Sequence, residues 1–250
     1  MDPLPDDDTL RAWLLPAADD DHFRVEGRHA VRALLESDLE IIAGFDTATE
    51  SVGVTPRSGR WFREIDPGRL SRLVGFDFHR GVLAIARKPG ISFSDWAKTN
   101  TVRRLCVLDR LADPGNVGTV IRNAAAFGFD AVICSRAGAS PYHAKAVRAS
   151  ATALFRLPVF VEEDWPTALA AAAPGTVWVG TALVPGAIPL DEFVESAPDS
   201  LAVLFGSEAD GLPPAILAAC GQCLTIPLSD RVESLNVASA SAIVLHSLRG

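Results

Sequence analysis

The 250-residue sequence contains no apolar run approaching the roughly 18 residues that a membrane-spanning helix needs. Its start, rich in aspartate, lacks the basic flank and hydrophobic stretch of a secretory signal, so a cytoplasmic location is expected. Cysteine is scarce: four residues do not make a disulfide scaffold, and Cys106 and Cys134 lie in apolar runs where a thiol behaves as a small hydrophobe. Cys220-Gly-Gln-Cys223 lacks the second ligand pair of a zinc site, and His22, His29, His79, His143 and His246 show no ligand spacing, so no metal is expected. Positive charge is also short. A formal net charge of −8 sits awkwardly with phosphate binding, which needs lysine and arginine. What is abundant is apolar residue, 48%, enough for a substantial core.

The negative charge is uneven. Residues 1–22 hold seven aspartates against Arg11 and read as an acidic, disordered leader, with Leu10, Trp13, Leu14 and Leu15 able to form one anchoring turn. Residues 23–102 carry a net +2 and residues 103–250 a net −4. From Phe23 to Pro89 the pattern predicts a small domain: helix Arg28–Glu36, strand Leu39–Gly44, helix Asp66–Leu73 and strand Gly81–Arg87. Arg24, Arg28 and Arg32 recur every four residues, which on a helix gives either a phosphate-tracking row or a solvated face. Turn formers across residues 90–101 predict a linker, with Trp96 as an anchor.

From Val102 onward, strands (104–109, 130–134, 157–161, 177–181, 201–205, 224–226) alternate with helices (117–127, 142–150, 164–173, 213–219, 234–248). Such alternation predicts an α/β domain with a mainly parallel sheet covered on both faces. A dinucleotide-binding fold is the competitor, but Gly115-Asn-Val-Gly118 after the first strand is not its glycine signature. The last fifty residues concentrate the polar features. Leu201–Phe205 stops at Gly206, Leu224–Ile226 stops at Pro227, and Ser234 is placed to cap an almost wholly apolar final helix that needs covering on most sides. Glu208, Ser234 and Asn236 thus fall at the carboxyl ends of strands, where open α/β sheets bind ligands.

Phe205-Gly-Ser-Glu208 with Gly211, Ile226-Pro-Leu228 and Ser234-Leu-Asn-Val237 resemble the last two motifs of the SpoU (TrmH) family of RNA 2'-O-ribose methyltransferases, in the SPOUT class. Upstream, Asn116-Val-Gly118 through Arg122 to Gly128 is similar to the family's first motif. Phe23–Val31 and Phe78–Ala84 resemble the ends of the ribosomal-protein-L30e-like substrate-binding domain that precedes many such catalytic domains. The resemblance implies a C-terminal trefoil knot over residues near 204–250, a homodimer, S-adenosylmethionine as cofactor, and RNA as substrate, ribosomal before transfer RNA.

It also implies roles. Thr181, Ala182, Leu183, Leu204, Gly206, Ile226, Leu228, Ser234 and Leu235 would cradle the cofactor, with Gly206 letting it approach the main chain. Arg122 would be the catalytic arginine. Because a guanidinium does not act as a base near neutral pH, charge stabilisation and phosphate positioning are the chemistry expected of it. Asn116 and Glu208 would fix loops, and Ser234 and Asn236 would position substrate. Thr152 stands where relatives carry glycine. A non-catalytic RNA-binding or ribosome-assembly factor would have lost some of Arg122, Glu208, Ser234 and Asn236, and all are present. Base methylation by another SPOUT branch is disfavoured by the Asn116-to-Arg122 motif.

Overall fold

The computed structural model describes residues 4–17, 19–47, 62–75, 77 and 81–249. Phe78, His79 and Arg80 of the second small-domain motif therefore lie outside the described residues. No helix among the described residues is long and apolar enough to cross a membrane.

The first module carries a four-stranded sheet in the order β1-β4-β2-β3, formed by β1 (His22–Glu26), β2 (Ile41–Asp46), β3 (Phe62–Glu64) and β4 (Val82–Arg87). Strand β4 pairs antiparallel with both β1 and β2, and β2 pairs parallel with β3. Helices α2 (Arg28–Leu35) and α3 (Pro67–Val74) fall close to the expected positions. Strands β1 and β3 were not anticipated.

Two expectations are corrected here. The acidic leader is ordered from Asp7 to Leu14 as helix α1, capped by the Asp6 carboxylate, which accepts from Thr9 N at 2.8 Å. Leu10 and Leu14, one turn apart, are fully buried with Phe45, Leu70, Leu83 and Ile85. Burial of this kind contributes about 1.5–3 kcal/mol per leucine, enough to order two turns despite the surrounding aspartates. The segment 90–101 is likewise docked: helix α4 (Phe93–Ala97) buries Phe93 completely, and Trp96 lies 5.4 Å from the Phe160 ring.

The second module is a seven-stranded, all-parallel sheet in the order β7-β6-β5-β10-β8-β11-β9. Its strands are β5 (Arg104–Leu108), β6 (Ala131–Ser135), β7 (Val159–Glu162), β8 (Val177–Thr181), β9 (Ile188–Pro189), β10 (Leu201–Phe205) and β11 (Gln222–Thr225). Between them run α5 (Pro114–Ala126), α6 (Ala144–Ala149), α7 (Trp165–Ala172), α8 (Leu190–Glu195) and α9 (Pro214–Ala219), and α10 (Val237–Ser247) follows β11. Strand β9 and helix α8 were not foreseen.

Strand alternation divides the core in two. Cys106, Leu108, Val203 and Phe205 face α5 and α10, whereas Leu105, Val107, Ala202 and Leu204 face α7 and α4. The first of these cores continues without a break into Phe23, Val25, Val82 and Ala84, and the Phe23 and Tyr142 rings meet at 5.0 Å. The small module therefore completes its core against the large one. Gly118 permits the close packing of α5 on α6, since a Cβ there would stand 2.2 Å from the Ala146 carbonyl oxygen. Thr152 has φ +77°, the left-handed conformation that a glycine would take there at lower cost.

Strand order reverses at the centre: from β5 the chain builds outward through β6 and β7, then returns so that β10 lies between β5 and β8. Ligands of open parallel sheets bind beyond the carboxyl ends of strands at such a reversal.

Candidate active site

Three strand ends and the entry to α10 enclose a cavity of about 560 Å³. Small-molecule sites span roughly 300–1,000 Å³. Thr181 ends β8 with Ala182 and Leu183 after it, Gly206 follows β10, Ile226 and Leu228 follow β11, and Ser234 and Leu235 precede α10; all eight line it. Leu204, the ninth residue expected to contact cofactor, does not. It is fully buried on the opposite face of the sheet, and its carbonyl accepts from Thr181 Oγ1 at 2.8 Å, tying β8 to β10 beneath the cavity floor.

Gly206 also carries a second constraint. A Cβ there would lie 2.2 Å from the Gly211 carbonyl carbon and 2.3 Å from Leu212 N. The glycine is thus required for the chain's approach to itself. Ser207 and Gly211 exchange backbone hydrogen bonds of 3.2 and 3.0 Å, and Gly211 has φ +65°. The resulting tight loop carries Glu208 and Asp210 to the cavity edge and sets Leu212 in its wall.

A polar chain crosses the mouth. Glu208 accepts from Ala112 N at 3.0 Å and from Asn116 Nδ2 at 2.9 Å, and Asn116 Oδ1 accepts from Asn236 Nδ2 at 3.3 Å. Three segments far apart in sequence are joined: the loop after β5, the loop after β10 and the start of α10. Asn236, rather than Ser234, caps α10, its Oδ1 accepting from Ala238 N at 2.9 Å, so the helix begins at Val237 and Ser234 stays exposed in the preceding loop. Deeper in, Asn123 Nδ2 donates to Ser241 Oγ at 2.9 Å and to the Ala238 carbonyl at 3.1 Å, fixing α10 on α5. Asn123 was not anticipated as a site residue, although it stands two turns beyond Asn116 on one helix face. Asp113 caps α5 through Gly115 N at 2.6 Å and pairs with Lys145 at 2.7 Å.

Burial raises the Glu208 pKa, but the hydrogen bonds from Asn116 and Ala112 outweigh it, and the net shift is below the usual value of 4.5. A carboxylate with a lowered folded pKa adds stability that is present above its unfolded pKa and is lost as pH falls through the folded one. Melting temperatures of the wild type and Glu208→Gln are therefore expected to differ at pH 7 and to converge below about pH 4. A gap that persisted to pH 3 would show that the carboxylate does not hold this loop.

The arginines separate. Arg122 is exposed on α5 and does not line the cavity of its own chain. Arg32 is exposed on α2, and Arg28 is half-buried in its first turn. Arg24 is not on a helix with them. It lies in β1, buried, with Nε 2.8 Å from Glu26 and a guanidinium hydrogen bond to the Leu14 carbonyl, so it is withdrawn from the row proposed for RNA. Strand geometry overrode a four-residue spacing that resembled a helix face. No cluster of three or more metal-binding side chains occurs among the described residues. Cys220 and Cys223 sit beside Gly180, and burial pushes the Cys220 thiol up to about 11.

The SpoU rRNA Methylase family profile matches residues 103–246. The chain is 32% identical over 232 residues to the 23S rRNA (guanosine(2553)-2'-O)-methyltransferase RlmP of Bacillus subtilis, covering 91% of this chain and 88% of that protein. It is also 32% identical over 183 residues to the 23S rRNA (guanosine-2'-O-)-methyltransferase RlmB of Acinetobacter baylyi, covering 71% and 73%. Among solved structures, the SpoU methyltransferase AviRb of Streptomyces viridochromogenes in complex with AdoMet superposes with a TM-score of 0.83 at 25% identity, covering 96% of this chain and 95% of that one. An AdoMet-bound rRNA methyltransferase from Sinorhizobium meliloti gives 0.81 at 25% identity, covering 97% and 93%. With a site of this shape and a profile spanning more than half its length, the chain belongs to the SpoU rRNA methylase family.

Proposed function

We propose that this protein transfers a methyl group from S-adenosylmethionine to a ribose 2'-hydroxyl of ribosomal RNA. The observation that carries the proposal is the cavity walled by the loops after β8, β10 and β11, with Glu208, Asn116 and Asn236 hydrogen-bonded across its mouth. The fit to the cofactor is chemical as well as volumetric: Leu212, Leu217, Ile226 and Leu235 offer apolar walls to a purine, and the strand-end loops offer backbone groups to its polar edges. When bound, the cofactor supplies an electrophilic methyl group on a sulfonium. The chain's own residues do the rest. Thr181 and Gly206 hold the floor and the loop, Glu208 and Asn116 fix the lip, and Ser234 and Asn236 stand where an acceptor sugar enters.

Arg122 supplies positive charge for the acceptor's phosphate and the developing alkoxide. Because it does not line its own chain's cavity, we assign it to the cavity of a second copy. The outer face of α10 supports a homodimer: Ser239, Ile243 and His246 are exposed there, and Ile243 at 41% is an uncovered large apolar side chain. The return of β10 to the sheet centre and the loop at 206–212 support a knotted C-terminal segment over 204–250. The first module serves as the L30e-like RNA-binding domain, with Arg28 and Arg32 toward phosphate, and the location is cytoplasmic. Mapping of 2'-O-methyl positions in ribosomal and transfer RNA, with and without the gene, is expected to show one ribosomal position losing its methyl group. Loss confined to transfer RNA would redirect the proposal, and no loss in either would reject it.

A further inference from the structure

A second large cleft lies where the leader, the small module and the loop after β6 meet. Its volume is about 570 Å³, comparable to the cavity below Gly206. One wall is the end of the leader, Leu14, Leu15 and Pro16, and Leu15 remains 47% exposed although Leu10 and Leu14 of α1 pack inward. A second wall brings His22 from β1 and Lys88 after β4, and a third brings Tyr142 and His143 from the loop before α6. The remaining lining includes Ala112, on the loop that Glu208 holds at Ala112 N, Pro114 at the start of α5, and Arg24, whose guanidinium is paired with Glu26. Pro114, in the cleft lining, stands two residues before Asn116 in the first turn of α5.

The chemistry of the walls selects the occupant. The exposed Leu15 and half-buried Pro16 offer apolar packing beside two imidazoles, and imidazoles stack on the flat face of a heterocyclic base irrespective of sequence. His143 Nδ1 accepts from Lys145 N at 3.2 Å, so its neutral ring carries the proton on Nε2, a donor toward a base edge or a phosphate. Lys88 lies 5.8 Å from the Tyr142 ring centroid and also lines an adjoining compartment of about 400 Å³. Asp19 and Asp20 line that compartment and, with Asp21, act electrostatically on the Lys88 ammonium, which disfavours a phosphate there.

We propose that this cleft receives one unstacked nucleotide of the RNA substrate, its base against the leader wall and the imidazoles of His22 and His143. The acidic leader thereby acquires a function: it builds one side of a substrate subsite. The proposal rests on the RNA-modifying reading above, and its tests separate the two.

Ring proton–carbon correlation spectra of the full chain contain signals from only five histidines. With the cofactor cavity filled by S-adenosylhomocysteine, the demethylated donor, GMP is expected to shift the His22 and His143 signals saturably, and ribose 5-phosphate to shift them much less. Leu15→Glu, at an exposed position, is expected to weaken the GMP titration about tenfold and to raise the KM for ribosomal RNA about tenfold, with kcat and cofactor affinity held. Unmoved His22 and His143 signals, equal shifts with ribose 5-phosphate, or an unchanged KM would each overturn the subsite. A wild type that methylated no RNA would instead strike the functional reading, leaving the GMP result to decide the cleft.

Discussion

Arg122→Ala is expected to lower kcat for RNA methylation by about 10²–10³-fold, the loss typical when one preorganised charge-stabilising donor is removed. The cofactor's dissociation constant should stay at the wild-type value, because Arg122 does not line the cavity of its own chain. Stability should also hold, since the side chain is exposed on α5 while the helix packs through Val117, Val120, Ile121 and Ala124. Arg122→Lys separates charge from geometry. A lysine restores one positive charge but not the fork of donors that meets a phosphate bidentately, so it should recover only a small part of the rate. Single-turnover kinetics with calorimetry on the same preparations checks the split. An Arg122→Ala protein with full rate would remove the proposed mechanism, and one with lost cofactor binding would assign Arg122 a structural role.

Gly206→Ala is expected to abolish measurable cofactor binding, a loss of at least about 100-fold, while the strands remain folded. The added methyl group would stand 2.2 Å from the Gly211 carbonyl carbon, closer than any non-bonded contact, and backbone cannot swing aside as a flexible side chain can. Either the Ser207 and Gly211 bridge opens or β10 shifts against its neighbours. Overpacking of this kind costs about 1–3 kcal/mol, which a domain of this size survives. The cavity does not survive it, because Ser207, Glu208, Gly211 and Leu212 all take their places from that loop. Gly211→Ala is a milder control: nothing lies within 4 Å of its Cβ position, and only its φ of +65° is strained. Calorimetry is expected to rank affinity as wild type, then Gly211→Ala, then Gly206→Ala.

Strand β10 was readable from the chain because five apolar residues end at a glycine, a pattern with few other solutions. The cavity followed, since strand ends in a parallel sheet place their loops together whatever the loop sequences are. What was not readable has common causes. The leader's seven aspartates dominated its composition, yet two leucines one turn apart outweighed them once a partner surface existed, and partner surfaces are not visible in local sequence. Ser234 and Asn236 are both good helix caps, and choosing between them needs the position of Asn116, 120 residues away. Phe93 looked like part of a linker because only tertiary structure supplies Phe160 to pack on it. Arg24 had helical spacing and strand geometry, and the strand won through its ladder with β4.

In the proposed dimer the donor cavity lies in one copy and the guanidinium that serves it in the other. Co-expression of Arg122→Ala chains with Gly206→Ala chains, each inactive alone, tests this most directly. In a mixed dimer, the Arg122→Ala chain keeps an intact cavity and receives Arg122 from its partner. Random pairing is then expected to restore about a quarter of wild-type methylation, counted over all sites of a two-fold assembly. Activity that remained at the level of the two parent variants would contradict the account.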